Sequence, residues 1–153
     1  MKTYVASLCL IFGLLHCSPP QQEETSNATP SETEQTPAID PAETQRILTH
    51  HMEAFLANDL EATLEDYSEE SVLITPNGTY KGLQQIRENF IGAFKGFPKD
   101  SCELTTKLSV VEGDVAYIIW EAKAPTFSVK YGTDTFIIRD GKINRQTFAG
   151  LIE

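Results

Sequence analysis

The chain has little cysteine. Of its three cysteines, Cys9 and Cys17 stand near the N-terminus and only Cys102 lies in the region that can fold, so no disulfide can close within that region. A lone Cys102 reads as a small buried hydrophobe rather than a nucleophile. Basic residues are also scarce, 12 against 22 acidic ones, for a net charge of −10. No basic patch is present to replace the counterions of a phosphate backbone, which excludes nucleic acid as the expected partner. The same acidity opposes adhesion to anionic lipid. Metal-ligand spacing is missing: His50 and His51 are adjacent, and adjacent side chains diverge on a helix. No cofactor motif stands out, so none is expected, and neither a Ser-His-Asp order nor a nucleophile elbow occurs. Long apolar runs are absent apart from residues 4–15, too short to cross a bilayer comfortably but of the length of a signal-peptide core. Residues 18–38 contain no large apolar side chain and cannot bury enough surface to offset their ordering entropy.

These absences divide the chain into three parts: a leader over 1–17, a disordered tether over 18–39, and one domain over 40–153. The leader ends Gly13-Leu14-Leu15-His16-Cys17. Leu14, three places before a cysteine, resembles the bacterial lipobox, in which the cysteine is acylated and becomes the new N-terminus. His16 departs from that motif, which carries Gly, Ala or Ser there. The resemblance implies export to the bacterial cell envelope, facing the periplasm or the surface, with Cys17 as the lipidation site and sole membrane attachment. The alternative is an ordinary secretory signal cut near Cys17. With such a leader, Asn27-Ala28-Thr29 and Asn77-Gly78-Thr79 read as unglycosylated sequons.

The domain opens with helical signals. Asp40 suits an N-cap, Pro41 the first helical position, and Glu43 completes a capping-box pattern. Leu48, Met52, Phe55 and Leu56 recur at helical spacing, with His51 beside that face. Asn58-Asp59 breaks this helix, and Asp59 caps a second one from Leu60 to Tyr67, with Leu60, Leu64 and Tyr67 inward. A short strand over Ser71–Thr75 turns at Pro76-Asn77-Gly78, and Tyr80 begins a brief return. A third helix, Leu83 to Phe94, carries a core stripe of Ile86, Phe90, Ala93 and Phe94. From Cys102 onward the pattern is β: 102–111, 115–122, about 127–139 and 142 to about 151, with Pro125 interrupting between the second and third strands. Helices followed by a meander of long strands give an α+β order, a curved sheet wrapped around the helices with a cavity between.

The last two strands meet at Asp140-Gly141, a dipeptide suited to the positive φ of a tight hairpin. Alternation puts Asp134, Phe136 and Ile138 on one face, and Asn144, Gln146 and Phe148 on one face of the partner. If the phenylalanines point inward, so do Asp134 and Gln146, and a carboxylate and an amide among aromatics is the chemistry of a small pocket. The candidate ligand-binding residues are His51, Tyr67, Tyr80, Trp120, Asp134 and Gln146, in a wall of Phe55, Phe90, Phe136 and Phe148. A buried Asp134 needs a partner, and Arg145 or a neighbouring backbone could supply it. Val115, Tyr117, Ile119 and Val129 are expected on the outer face, where a homodimer or an envelope protein would dock.

The segments Phe55-Leu56-Ala57-Asn58-Asp59-Leu60-Glu61-Ala62, Tyr67-Ser68-Glu69-Glu70-Ser71-Val72, Pro76-Asn77-Gly78 with Lys81-Gly82-Leu83-Gln84-Gln85-Ile86, and Asp134-Thr135-Phe136 with Asp140-Gly141-Lys142-Ile143 resemble the nuclear transport factor 2-like superfamily. That superfamily holds ketosteroid isomerases and SnoaL-like polyketide cyclases. The resemblance implies a cone-shaped fold with three N-terminal helices packed in a curved antiparallel sheet. It places the oxyanion-hole aspartate of the isomerases on Asp134, the tyrosine near His51, and the base on Thr75, which cannot hold a proton as a carboxylate does. The expected function is binding of a small, partly apolar ligand in the cone. The alternatives are an isomerase-like enzyme that uses His51 and Asp134, and an interaction module that acts through the sheet face.

Overall fold

The computed structural model describes residues 39–153. The leader, Cys17 and the tether up to residue 38 lie outside the described residues. Among the described residues no helix is long and apolar enough to cross a membrane.

Helix α1 (Pro41–Ala57) starts where Asp40 accepts the Ala42 N–H at 2.9 Å, with Pro41 at the first position. The expected capping box does not form. Glu43 turns away from the backbone and grips Arg46 at 2.9 and 3.0 Å, a charge pair that outcompetes the reciprocal cap. Asn58 ends the helix at φ 53 and its side chain amide donates to the carbonyl of Phe97, so one residue caps α1 and ties it to the loop after α3. The buried face of α1 is Thr44, Ile47, Leu48, His51 and Ala54, one step round from the expected stripe. Leu56 is exposed, and His51 lies at the centre of the face rather than beside it.

Helix α2 (Leu60–Glu65) is capped by Asp59, which accepts the Ala62 N–H at 3.0 Å. It stops short of Tyr67 because β6 claims the carbonyls that would continue it. Lys142 Nζ donates to the Glu65 carbonyl at 2.6 Å, and the Ile143 N–H donates to the Asp66 carbonyl at 2.7 Å. Tyr67 still turns inward, buried beneath the sheet. Helix α3 (Gly82–Gly96) begins at a glycine with φ +73, where a side chain would also meet the Glu69 carboxylate.

The strands are β1 (Val72–Thr75), β2 (Gly78–Lys81), β3 (Glu103–Glu112), β4 (Val115–Lys123), β5 (Ser128–Arg139) and β6 (Lys142–Ile152). They form one sheet in the order β2-β1-β6-β5-β4-β3. All neighbours are antiparallel except β1 and β6, a parallel pairing that joins the early hairpin to the C-terminal meander. Ser71 secures that junction: its hydroxyl donates to the Ile143 carbonyl at 2.7 Å. The β5–β6 turn uses Asp140 and Gly141, both with positive φ, as expected.

Register shifts interrupt β3–β4, β4–β5 and β5–β6. Each bulge bends its strand, and together they curl the sheet around the helices. They also move side chains across the sheet. Val129, expected on the outer face, is 1% exposed, because the shift between Val129 and Tyr131 reverses its parity and leaves Tyr131 outside instead. Ile143 is fully buried and Asn144 only partly, because the shift at Ile137/Ile138 breaks the alternation that would pair Asn144 with Gln146. Val115, Tyr117 and Ile119 are half-buried. The core fills the concave side, with Ile47, Leu48, Ile86 and Phe90 of the helices against Ala116, Ile118, Phe136 and Ile138 of the sheet.

Gly132 faces Trp120 across the β4–β5 ladder, and a Cβ there would fall 2.6 Å from the indole. Gly132→Ala is therefore expected to push the indole aside at a cost of about 1–3 kcal/mol. The chain has one tryptophan, so a lowered Tm together with a shifted tryptophan emission spectrum checks this directly.

Candidate functional site

The curl of the sheet leaves a cavity of about 450 Å³ between the helices and the concave face. Its walls are mostly aromatic. Phe55, Phe90, Phe136 and Phe148 all line it, as the sequence suggests. Phe148 stacks on Trp120 with centroids 5.7 Å apart. Its polar lining includes His51, Asp134 and Gln146, along with Thr75, Asn77, Glu88 and Asn89.

Strand register builds the buried polar group on the sheet. Asp134 on β5 lies opposite Ile118 on β4 and Phe148 on β6. Trp120 and Gln146 occupy the diagonal positions on either side, on the same face and within reach of a long side chain. Trp120 Nε1 donates to Asp134 Oδ2 at 2.8 Å, and Gln146 Nε2 donates to Asp134 Oδ1 at 2.9 Å. Arg145, a partner the sequence offered for Asp134, points away and donates to the Glu70 and Asn144 carbonyls. Asp134 is 7% exposed, so the carboxylate is satisfied from within the sheet while still lining the cavity.

The chain of hydrogen bonds runs on through the helices. The Tyr67 hydroxyl donates to Gln146 Oε1. His51 Nε2 lies 3.5 Å from the Tyr67 oxygen, and His51 Nδ1 faces Asp66 Oδ2 at 3.4 Å. Asp66 Oδ1 meets His50 Nδ1 at 2.8 Å. The two adjacent histidines thus converge on one carboxylate instead of diverging, because Asp66, at the end of α2, packs against α1 between them. The His51 ring is held edge-on by Tyr67, Phe90 and Phe136, with centroids 5.4–5.8 Å away.

Burial pushes the Asp134 carboxyl above its ordinary value, while the Trp120 and Gln146 hydrogen bonds and the nearby His51 pull it down. Burial, with the charges of Asp134 and Asp66, holds the Tyr67 hydroxyl well above the usual phenol range, which makes it a neutral donor.

The structure brings together His51, Tyr67, Trp120, Asp134 and Gln146 in one connected cluster. Tyr80 lines the cavity but joins none of these hydrogen bonds. Thr75 lines the wall too, with its hydroxyl accepting the Asn77 N–H at 3.1 Å. Sequence reasoning missed Asp66, which is 2% exposed. Its one sequence signal is proximity: it lies three residues after Thr63, which is also buried, so the inward face of α2 is wider than its apolar residues indicate.

The family model for the SnoaL-like domain matches residues 48–146, which span the whole cluster. Solved structures share the fold. A candidate ketosteroid isomerase from Kribbella flavida is 15% identical with a TM-score of 0.62, over 74% of this chain and 81% of that one. A candidate polyketide cyclase from Sinorhizobium meliloti is 22% identical with a TM-score of 0.61, over 72% of this chain and 99% of that one. TerC, crystallised with polyporic acid, is 16% identical with a TM-score of 0.60, over 71% of this chain and 92% of that one. At such identities the likeness speaks to the cone fold alone, the fold the sequence resembles. No curated protein matches the chain significantly.

Because the folded state raises the Asp134 pKa, it holds that proton more tightly than the unfolded chain does. The associated stability is complete below the ordinary value of 3.8 and is lost as pH rises through the folded value. Trp120→Phe removes a donor to the charged form and should raise the folded value further. The variant's loss of stability should therefore grow as pH rises above that range, then level off at about 1–3 kcal/mol. Urea unfolding followed by circular dichroism across pH measures it, and a deficit independent of pH would refute the electrostatic account.

Proposed function

Because the chain belongs to the SnoaL-like domain family, we propose that its cavity binds a small ligand with an apolar, flat body and a hydrogen-bond donor at one end. The aromatic walls suit the body. The observation that carries the proposal is the Asp134 carboxylate: it lines the cavity, and each of its oxygens already takes one internal donor and keeps a lone pair for another. A hydroxyl or N–H on the ligand matches that end, whereas an anionic ligand would meet a buried negative charge. The geometry supports binding over acid–base catalysis by His51 and Asp134. Both ring nitrogens of His51 are turned to Tyr67 and Asp66, which leaves the cavity its ring rather than a reactive nitrogen.

The proposal extends to location. An exported domain, lipidated on Cys17 and standing off the membrane on the tether of 18–39, would meet its ligand in the bacterial cell envelope. The lipobox-like Leu14-Leu15-His16-Cys17 supports this. The half-buried Val115, Tyr117 and Ile119 on the outer sheet face supply a surface for a second copy.

Two experiments test these points. Full chain and Asp134→Asn chain are purified in parallel from the native host, extracted with solvent, and the extracts compared by mass spectrometry. A small molecule enriched about tenfold in the wild type, the loss expected for one charge-assisted hydrogen bond, supports the pocket. Equal extracts from the two proteins would overturn it. Separately, Cys17→Ser should move the protein from the membrane fraction to the soluble fraction. Retention on the membrane would exclude Cys17 as the anchor.

A further inference from the structure

The far end of the cluster holds two buried atoms that face each other without a hydrogen bond. His51 Nδ1 and Asp66 Oδ2 lie 3.4 Å apart, both side chains are 3% exposed, and neither atom has a well-aligned partner. The links from Asp134 through Gln146 and Tyr67 to His51 are paired, and the pairing has a direction. Asp134, when charged, accepts only, so Gln146 must turn its NH₂ toward it. The Gln146 oxygen then faces Tyr67, and the Tyr67 hydroxyl must donate to it. The Tyr67 oxygen is left with lone pairs, so His51 Nε2, 3.5 Å away, must carry hydrogen. A charged Asp66 Oδ2 also offers only lone pairs, and its 3.4 Å approach to His51 Nδ1 is favourable when that nitrogen carries hydrogen as well. A charged Asp134 therefore calls for a charged His51.

The opposite direction is equally consistent. With a proton on Asp134, the Gln146 amide turns over and its oxygen accepts from Asp134. Its NH₂ then donates to Tyr67, and Tyr67 donates to a bare His51 Nε2. His51 is now neutral with its hydrogen on Nδ1, toward Asp66. The two arrangements hold the same number of protons: one leaves His51 Nε2 and one is gained at Asp134 Oδ1.

We infer that Asp134 and His51 share one proton through Gln146 and Tyr67, so that Asp66 and His51, though remote from the ligand's donor, set how strongly Asp134 can accept it. Tyr67, His51 and Asp66 are then positioning residues for ligand choice at the proposed pocket, and this part of the inference rests on that reading. The groups facing His51 are few. Asp66 and Tyr67 face it from the exit of α2, Asp134 and the Phe136 ring from β5, Gln146 through Tyr67 from β6, and the Phe90 ring from α3. His50 on α1 shares Asp66 and lies 4.0 Å from Glu65, partly open to solvent. A ligand that donates to Asp134 favours the charged arrangement and tightens the His51–Asp66 ion pair.

The test needs no ligand, so its outcome is separate from that of the binding reading. Full chain labelled with ¹⁵N-histidine is examined by NMR at neutral pH, with wild type compared to Asp134→Asn. An asparagine at 134 is permanently neutral and must donate to Gln146, which mimics the second arrangement. His51 should carry hydrogen on both nitrogens in the wild type and lose it from Nε2 alone in Asp134→Asn. The ¹⁵N resonance of His51 Nε2 should move accordingly from the protonated to the unprotonated range. In a Tyr67→Phe background, where the chain is cut, the same substitution should have less than a third of that effect. Gln146→Met cuts the other link and serves if Tyr67→Phe does not fold. An unchanged His51 in Asp134→Asn would overturn the inference. So would an equal shift in the cut background, since that marks a through-space charge effect alone.

Discussion

A carboxylate inside an apolar cone must be met by donors, and the architecture follows from how Asp134 is met. Leaving it charged and unpaired in such a place would cost several kcal/mol, on the order of the whole stability of a domain this size. Three consecutive strands answer this. β5 carries Asp134, and β4 and β6 bring Trp120 and Gln146 to its two sides. The indole and amide are then fixed in turn, the indole by Phe148 and the absent side chain of Gly132, the amide by Tyr67. The carboxylate thus organises strand register and the placement of α2 at once. A slip of one residue would turn Asp134 to the outer face and strand its donors.

The cavity exists because the sheet is bent more than the helices can fill. Bulges in three ladders turn the strands around α1 and α3, and aromatic side chains line the space left between them. The parallel β1–β6 contact closes one side of the cone, with Ser71 and the Asp66 carbonyl both bonded to residue 143. Fold and pocket are therefore not separate achievements of the chain. The irregularities that interrupt the ladders are what give it a hollow, and register sets the buried Asp134 carboxylate in its wall.

The connected cluster also joins the pocket to the surface. From Asp134 to His50 each residue touches the next, and the last is half-open to solvent. Under the proton sharing inferred above, this cluster is what would carry a change at Asp134 through to the Asp66 carboxylate that His50 and His51 share.

Much of this was legible in the sequence because it depends on neighbours along the chain. Strand alternation, the Asp140-Gly141 hairpin, the Asp40 and Asp59 caps and the inward set of Asp134, Phe136 and Ile138 are all local, and the structure places them as the periodicity requires. The resemblance of scattered segments to one superfamily supplied the cone. What the sequence could not decide depends on other elements. Val129 and Ile143 face inward because a bulge shifts parity relative to a partner strand, and no residue in the strand announces it. Leu56 lost its place to His51 because packing against the sheet, not hydrophobicity, fixes the rotation of α1. The convergence of His50 and His51 on Asp66, and the link from Tyr67 to Gln146 across 79 residues, exist only once the sheet has closed. The sequence by itself determined which segments are helix and strand and which polar residue lies among the aromatics; the tertiary structure decided what that residue is bonded to, because hydrogen-bond partners far apart in the chain are chosen by register and closure rather than by local pattern.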